Sequence, residues 1–192
     1  IRLMSKIQQQ FEKDLPLTTL FSSATIEQLA SILRSSTDSL PWSPLVTIQH
    51  GGSRRPFFFM PGGGGNVIYL YHLARHLGLD QPFYGLQARG LDGEQPPHTQ
   101  IEEIAAYNIK AIQIIQSQGP YLLGGHSFGS FVAFEMALQL QQQGQEVALL
   151  ALMDTPAPPI GYKSVKDDMD DAMYLVGLAQ NVERFTGRNL SV

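Results

Sequence analysis

The chain has no cysteine among its 192 residues. This absence excludes disulfides, thiolate metal sites and a cysteine nucleophile, so covalent catalysis would have to use another group. Charge is also scarce: only 16% of the residues are charged, and the formal net charge of −4 comes without a basic stripe or a run of lysine and arginine. We therefore expect neither nucleic acid nor a membrane surface among its partners.

Long apolar segments are missing as well. The longest apolar stretches, such as residues 147–153, are far shorter than the roughly 20 residues that a bilayer-spanning helix needs. The N-terminus also lacks the charged-then-apolar pattern of a secretion signal, and we expect a cytoplasmic protein. Hydrophobic residues make up 43% of the chain, enough for one good core with a small appendage.

The first 36 residues contain two helical patterns, the second of which follows a cap at Thr25. Two such helices bury too little surface to fold well alone, so we expect them to be the tail of a domain whose beginning is missing. The start at Ile1 instead of methionine fits a piece of a longer polypeptide. Residues 37–44 are polar and contain Pro41 and Pro44, which indicates a linker and a domain boundary.

From residue 45 onwards, strand-like runs alternate with helical patterns. Strands are predicted at 45–49, 56–60, 83–87, 121–124 and 147–153, and helices at about 66–78, 101–118 and 128–143. The last two strands are almost wholly apolar, as expected where both faces of a sheet are covered. The sequence therefore predicts an α/β protein with a mostly parallel, doubly wound sheet.

The strongest chemical signal is the pattern G-x-S-x-G at residues 125–129, between a predicted strand and a predicted helix. A tight turn there would project the Ser127 hydroxyl at the carboxyl edge of the sheet, and it would direct the N–H of Phe128 at a developing oxyanion. We predict Ser127 as the nucleophile and Phe128 as an oxyanion donor; the alternative is an ordinary glycine-flanked turn. His126 is interpreted as structural, because adjacent side chains on such a turn diverge.

A glycine-rich loop, residues 61–66, follows the second predicted strand. A loop in this position supplies the other oxyanion N–H in sites of this type, and Gly62 is our candidate. The alternative is a phosphate-binding loop. It is disfavoured because no Lys-Ser/Thr pair follows the glycines and the spacing is not that of a dinucleotide fold.

An apolar strand at residues 148–153 ends in Asp154. A carboxylate at a strand tip, after the nucleophile in chain order, suits the orientation of a histidine and the stabilisation of its imidazolium. We therefore predict Asp154 as the catalytic acid, with a simple turn-forming aspartate as the alternative. The sequence has no evident metal or nucleotide site.

Together these motifs resemble the thioesterase domains that close nonribosomal peptide and polyketide synthases. The resemblance rests on an oxyanion loop, a family-typical segment, a nucleophile motif and an acid strand, at residues 59–64, 84–92, 125–130 and 152–158. It implies an α/β-hydrolase fold over residues 45–192. It also implies release of a carrier-bound peptide or polyketide thioester, by hydrolysis or macrocyclisation, through an acyl-serine.

Residues 1–36 resemble the later helices of a peptidyl or acyl carrier domain. In that family the serine that bears 4'-phosphopantetheine lies a few residues before the point where this chain begins, so the resemblance places it upstream of Ile1. The implied partner is the upstream carrier domain with its acyl- or peptidyl-pantetheine. No cofactor would be bound by the thioesterase itself.

The resemblance also exposes a gap at the catalytic base. In this fold the catalytic histidine follows the acid, yet all five histidines precede Asp154. The resemblance implies that the histidine follows Val192, so we expect a chain truncated within or near the lid that shows little or no turnover alone. The segment after Pro159 is either the start of that lid or a solvated amphipathic helix. His98, in a polar loop, is expected to be a surface residue and not a substitute base.

Two rival functions stay open at this point. The first is a stand-alone esterase, lipase or editing thioesterase of the same fold, because the fold alone does not fix the substrate. The carrier-like N-terminus argues against it. The second is a non-catalytic interaction module, which only the missing histidine supports.

Overall fold

The structure is a computed structural model that describes residues 2–13, 15, 19–22, 25–34, 42–91 and 93–155. The described helices are α1 (Arg2–Phe11), α2 (Thr19–Ser22), α3 (Ile26–Arg34), α4 (Leu70–His76), α5 (Ile101–Ile115) and α6 (Phe128–Gln142). The described strands are β1 (Leu45–Gln49), β2 (Phe57–Met60), β3 (Phe83–Leu86), β4 (Tyr121–His126) and β5 (Val147–Met153). The strands and helices predicted between residues 45 and 153 are confirmed, with ends that shift by a few residues. The predicted lid segment after Pro159 and linker residues 37–41 lie outside the described residues.

Helix α3 begins where the sequence predicts, whereas the short helix α2 was not predicted. The hydroxyl of Thr25 accepts a hydrogen bond from the N–H of Gln28 at 3.2 Å, and the Gln28 side chain accepts one from the N–H of Thr25 at 3.2 Å. This reciprocal capping box satisfies N–H groups that the first turn of α3 leaves without helical partners. The assignment of residues 1–36 to a carrier domain stays a prediction.

The end of the predicted linker is attached to the sheet. The carbonyl of Pro44 accepts the N–H of Gln87 at 2.8 Å, and the carbonyl of Ser43 accepts the Gln87 side chain at 2.8 Å. These bonds fix the chain as it enters β1. The short helix α2 also packs against β1.

The sheet has the strand order β1-β3-β2-β4-β5. Strands β3, β2, β4 and β5 are parallel to their neighbours, and β1 is antiparallel to β3. Only residues 50–56 connect β1 to β2, too few to return the chain for a parallel strand, which accounts for the reversed direction of β1. The predicted mostly parallel sheet is therefore confirmed.

The core lies on both faces of this sheet. Phe57 and Phe59 point to the face that Val67 and α4 cover, whereas Phe58 points to the face covered by α5 and α6. Phe58 and Phe59 are fully buried, each contributing about 1.5–3 kcal/mol of burial energy. The three phenylalanines thus belong to a buried strand, as predicted, and hold the C-terminal ends of the strands in place. No described helix is long and apolar enough to cross a membrane.

Candidate active site

Ser127 lies in the turn between β4 and α6, with backbone angles φ 52° and ψ −120°. A non-glycine residue with this positive φ costs of order 1–3 kcal/mol and persists only where its surroundings hold it. The N–H of Ser127 donates to the carbonyl of Met153 at 2.8 Å, and its own carbonyl accepts from the Thr155 hydroxyl at 2.9 Å. The turn is thus a strained elbow that the end of β5 holds from both sides.

The two glycines of the elbow allow two close backbone approaches. A Cβ at Gly125 would overlap the backbone of Gly129, and a Cβ at Gly129 would overlap the carbonyl oxygens of Met60 and Pro61. Glycine is required at both positions, because it alone lacks the atom that would clash. Gly129 has a further effect that the sequence did not indicate: it lets the first turn of α6 rest on the glycine-rich loop.

Ser130 is a supporting residue that the sequence analysis missed. Its side chain is buried, and its hydroxyl lies 2.8 Å from the carbonyl of Gly125 and 3.1 Å from that of Met153. The hydroxyl therefore joins the end of β4 to the last residue of β5. The one sequence signal for this role is the position of the serine, directly after the G-x-S-x-G pattern.

Asp154 follows β5 directly and also has a positive φ, of 53°. Both of its neighbours bond to Ser127, Met153 through its carbonyl and Thr155 through its hydroxyl. Because β4 and β5 are adjacent and parallel, the structure brings the predicted nucleophile and the predicted acid to one edge of the sheet. The Asp154 side chain is 82% exposed, so a further group can reach its carboxylate.

His126 bridges Asp154 and Tyr69. Its Nε2 lies 3.5 Å from Asp154 Oδ2, and its Nδ1 lies 3.3 Å from the Tyr69 hydroxyl. The Tyr69 hydroxyl also accepts the N–H of Gly62 at 2.9 Å, so it contacts both the glycine-rich loop and the imidazole. Both ring nitrogens are thus engaged, which is consistent with the interpretation of His126 as structural. Sequence reasoning missed Tyr69 altogether.

The two predicted oxyanion donors differ in their present bonding. Within the described part of the chain, the N–H of Phe128 at the start of α6 has no acceptor, whereas that of Gly62 is bonded to Tyr69. A Cβ at Gly62 would lie 2.9 Å from His126 Nδ1, so the glycine lets the loop lie against the elbow. The loop is closed by a bond of 3.1 Å from the N–H of Gly65 to the carbonyl of Gly62.

A cavity of about 350 Å³ opens beside these donors. Gly62 and Phe128 form part of its wall, and the segment after β3, α5 and α6 form the rest. His98 also lines it, and its ring lies 5.1 Å from the ring of Tyr107. The expectation that His98 is a surface residue needs adjustment, because its ring packs against Tyr107 and it is only partly exposed. Across the described ranges, no three His, Asp or Glu side chains cluster as metal ligands would.

Comparisons with known proteins fit this geometry. The profile of the thioesterase domain family matches residues 55–189. Indigoidine synthase of Dickeya dadantii (strain 3937) is 38% identical over 180 residues, which are 91% of this chain and 12% of that protein. The dimodular nonribosomal peptide synthase of Bacillus subtilis (strain 168) is 34% identical over 178 residues, 93% of this chain and 7% of that protein.

Solved structures point the same way. A four-domain nonribosomal peptide synthetase matches all of this chain with 31% identity and a TM-score of 0.65, and the match covers 14% of that chain. The Vlm2 thioesterase domain bound with a dodecadepsipeptide matches 77% of this chain and 62% of its own, with 26% identity and a TM-score of 0.56. The chain therefore spans only a small part of the length of the curated relatives that it matches. On the profile match and these relatives, the chain belongs to the thioesterase domain family and has the α/β-hydrolase fold.

Proposed function

We propose that this chain is the thioesterase that releases a peptide or polyketide from the phosphopantetheine of a carrier domain. The observation that carries the proposal is the strained elbow at Ser127, held by β5 at the carboxyl edge of the sheet. Elbows of this kind present a serine hydroxyl to an acyl carbon. The comparisons add support, because a dimodular nonribosomal peptide synthase and a four-domain nonribosomal peptide synthetase are among the matches.

In the proposed reaction, Ser127 Oγ attacks the thioester carbonyl carbon. A C–O bond forms and the C–S bond breaks, so that the acyl chain becomes an ester of Ser127 and the thiol leaves with a proton. Water, or a hydroxyl or amine of the acyl chain itself, then attacks this ester and regenerates the Ser127 hydroxyl. The first nucleophile gives hydrolysis, and the second gives a macrocycle.

The oxyanion of the tetrahedral intermediate is proposed to bind the N–H groups of Phe128 and Gly62. The N–H of Phe128 is free to donate to the oxyanion within the described structure, whereas the Tyr69 hydroxyl would have to leave the N–H of Gly62 first. Loss of one such donor typically costs about 2.7–4 kcal/mol of transition-state stabilisation. Tyr69 is thus proposed to satisfy the Gly62 N–H only while the site is empty.

Asp154 is proposed to orient the base and stabilise its imidazolium. The base itself is proposed to be a histidine beyond Val192, because no histidine follows Asp154 in these residues and both nitrogens of His126 are engaged. His126 would then be a positioning residue that keeps the Asp154 carboxylate at the elbow. The exposure of Asp154 leaves room for the second imidazole.

The proposed partner is a carrier domain on the N-terminal side, of which residues 1–36 would be the last helices. Its 4'-phosphopantetheine would deliver the thioester, and the serine that bears it would lie before Ile1. The proposal adds no cofactor to the thioesterase itself.

A substrate comparison tests the proposal, in the natural polypeptide that contains these residues. We expect kcat/KM for an acyl group on a holo carrier domain to exceed that for the same acyl group as a simple ethyl ester by at least tenfold. Ser127→Ala should abolish both activities. Equal turnover of the two substrates would favour a stand-alone esterase, and no turnover of either would favour a non-catalytic module.

A further inference from the structure

Asn108 is a buried polar residue in the wall of the cavity. It lies on α5, only 3% exposed, and it lines the cavity beside the glycine-rich loop. Within the described part of the chain, its side-chain amide makes no hydrogen bond, and it is not among the polar atoms sealed from solvent without a partner, so it is open to the cavity. A polar amide in the wall of a mostly apolar cavity can bond to water or to a polar group of a molecule that enters the cavity.

The rest of the wall defines the shape of the occupant. Met60, Leu86 and Val132 supply apolar surface around Asn108. A side-chain amide offers one carbonyl acceptor and an NH₂ donor side by side. A secondary amide presents the complementary pair, whereas a hydrocarbon satisfies neither group and a carboxylate offers no donor. Methylene groups on either side of that amide would fit the apolar walls.

The cavity lies next to the proposed site of the reaction. Gly62 and Phe128, the two proposed oxyanion donors, belong to its wall. A chain whose thioester carbonyl is held by these donors can therefore continue into the cavity. Both sides of a carrier-bound peptidyl thioester contain a secondary amide a few bonds from the sulfur or the carbonyl carbon.

We infer that this cavity is a subsite for a secondary amide of the thioester substrate and that the Asn108 side chain forms hydrogen bonds with that amide. The inference rests on the proposed function for the identity of the substrate. The amide comes either from the thiol side or from the acyl side of the thioester, and the two sources have the same hydrogen-bonding chemistry. Asn108 is thus a specificity residue and takes no part in the bond changes.

Paired probes test the inference by equilibrium binding. The first pair is an N-acetylcysteamine thioester and its analogue with an ester in place of the amide, which changes the thiol side. The second pair is an N-acetylglycyl thioester and its acetoxyacetyl analogue, which changes the acyl side. Titrations followed by NMR use the Ser127→Ala chain, so that no probe is consumed.

We expect one amide probe to bind about tenfold more weakly after Asn108→Leu, a change of about 1.4 kcal/mol, while its ester analogue changes less than twofold. The pair that responds identifies the source of the amide. Gln113→Leu is the matched control, since it removes an amide from the same helix outside the cavity wall, and it should change neither pair. Ile104→Phe fills the cavity from the same helix, one turn before Asn108, and should weaken both members of the responding pair, which keeps the location testable if Asn108→Leu does not fold.

Equal binding of the amide and ester probes to the parent chain would overturn the inference. Water would then be the partner of the Asn108 side chain. An equal loss for both members of a pair after Asn108→Leu would overturn it as well. A fluorophosphonate probe on the natural polypeptide that contains these residues separates this from the proposed function. If Ser127 is not labelled while the amide probe still binds more tightly than its ester analogue, the proposed reaction is wrong and the inferred subsite still stands.

Discussion

The contact between Gly129 and the glycine-rich loop allows a quantitative prediction for Gly129→Ala. The added Cβ would overlap the carbonyl oxygens of Met60 and Pro61 and would lie 2.7 Å from the Met60 carbonyl carbon, whereas ordinary contacts begin at 3.4 Å. The loop and the elbow must therefore separate by about 0.7 Å or more. A misplacement of about 1 Å between reacting groups can cost about 10²-fold in rate.

The assay is the rate of fluorophosphonate labelling at Ser127 in the natural polypeptide that contains these residues, with thermal unfolding measured in parallel. We expect labelling to slow by about 10- to 100-fold, and unfolding to cost about 1–3 kcal/mol, as overpacked sites typically do. Gly63→Ala is the matched control in the same loop, because a Cβ there meets nothing within 4 Å and its φ is not positive. Labelling of Gly129→Ala at the parent rate, with an unchanged Tm, would refute the claim that this contact positions the oxyanion donors.

Two further substitutions probe the hydrogen bonds of the site. Tyr69→Phe removes the hydroxyl that occupies the Gly62 N–H, and since a net hydrogen bond is worth about 1 kcal/mol, labelling of Ser127 should become up to about fivefold faster; slower labelling would show that Tyr69 positions the loop instead. Ser130→Ala removes the buried hydroxyl that joins β4 to β5 and should lower the free energy of unfolding by about 1–3 kcal/mol. Ser53→Ala, which removes an exposed hydroxyl bonded to Asp80, should change it by less than about 0.5 kcal/mol, and equal effects of the two serine substitutions would contradict this reasoning.

The alternating strands and helices were predictable because their signals are local. The apolar runs of β4 and β5 and the capping box at Thr25 each lie within a few residues, and hydrophobic periodicity reads such segments well. The antiparallel direction of β1 was not predicted, although the short connection at residues 50–56 already excludes a parallel return. Its pairing with β3 could not be predicted, because the strand sequence does not encode which strand lies beside it.

The candidate site shows the same contrast between local signals, which were predictable, and long-range contacts, which were not. Ser127 lies in a motif of five residues whose turn geometry follows from its glycines, and the structure shows the expected elbow. Tyr69 and Ser130 were missed because their roles depend on contacts across the fold. Tyr69 reaches His126 over 57 positions of sequence, and Ser130 reaches Met153 over 23. Asn108 was missed for a similar reason, since in the sequence it is one polar residue in an amphipathic helix.

The position of Asp154 shows how a local signal and a long-range contact combine. An acid after an apolar strand was predictable, but its positive φ and its approach to His126 were not. Parallel pairing of β4 with β5 in the observed register sets Met153 opposite His126, and the acid one residue later lies at the elbow. The order of residues along the chain thus predicted the components, and the sheet register brought them together.

The central claim is that Ser127 takes the acyl group. The most direct measurement is to mix the natural polypeptide that contains these residues with an acylated carrier domain, quench the reaction within one turnover, and locate the acyl group by mass spectrometry of peptides. The account predicts an acyl ester on the peptide that contains Ser127 and none in the Ser127→Ala protein. An acyl adduct on another residue, or the same adduct in the Ser127→Ala protein, would contradict it.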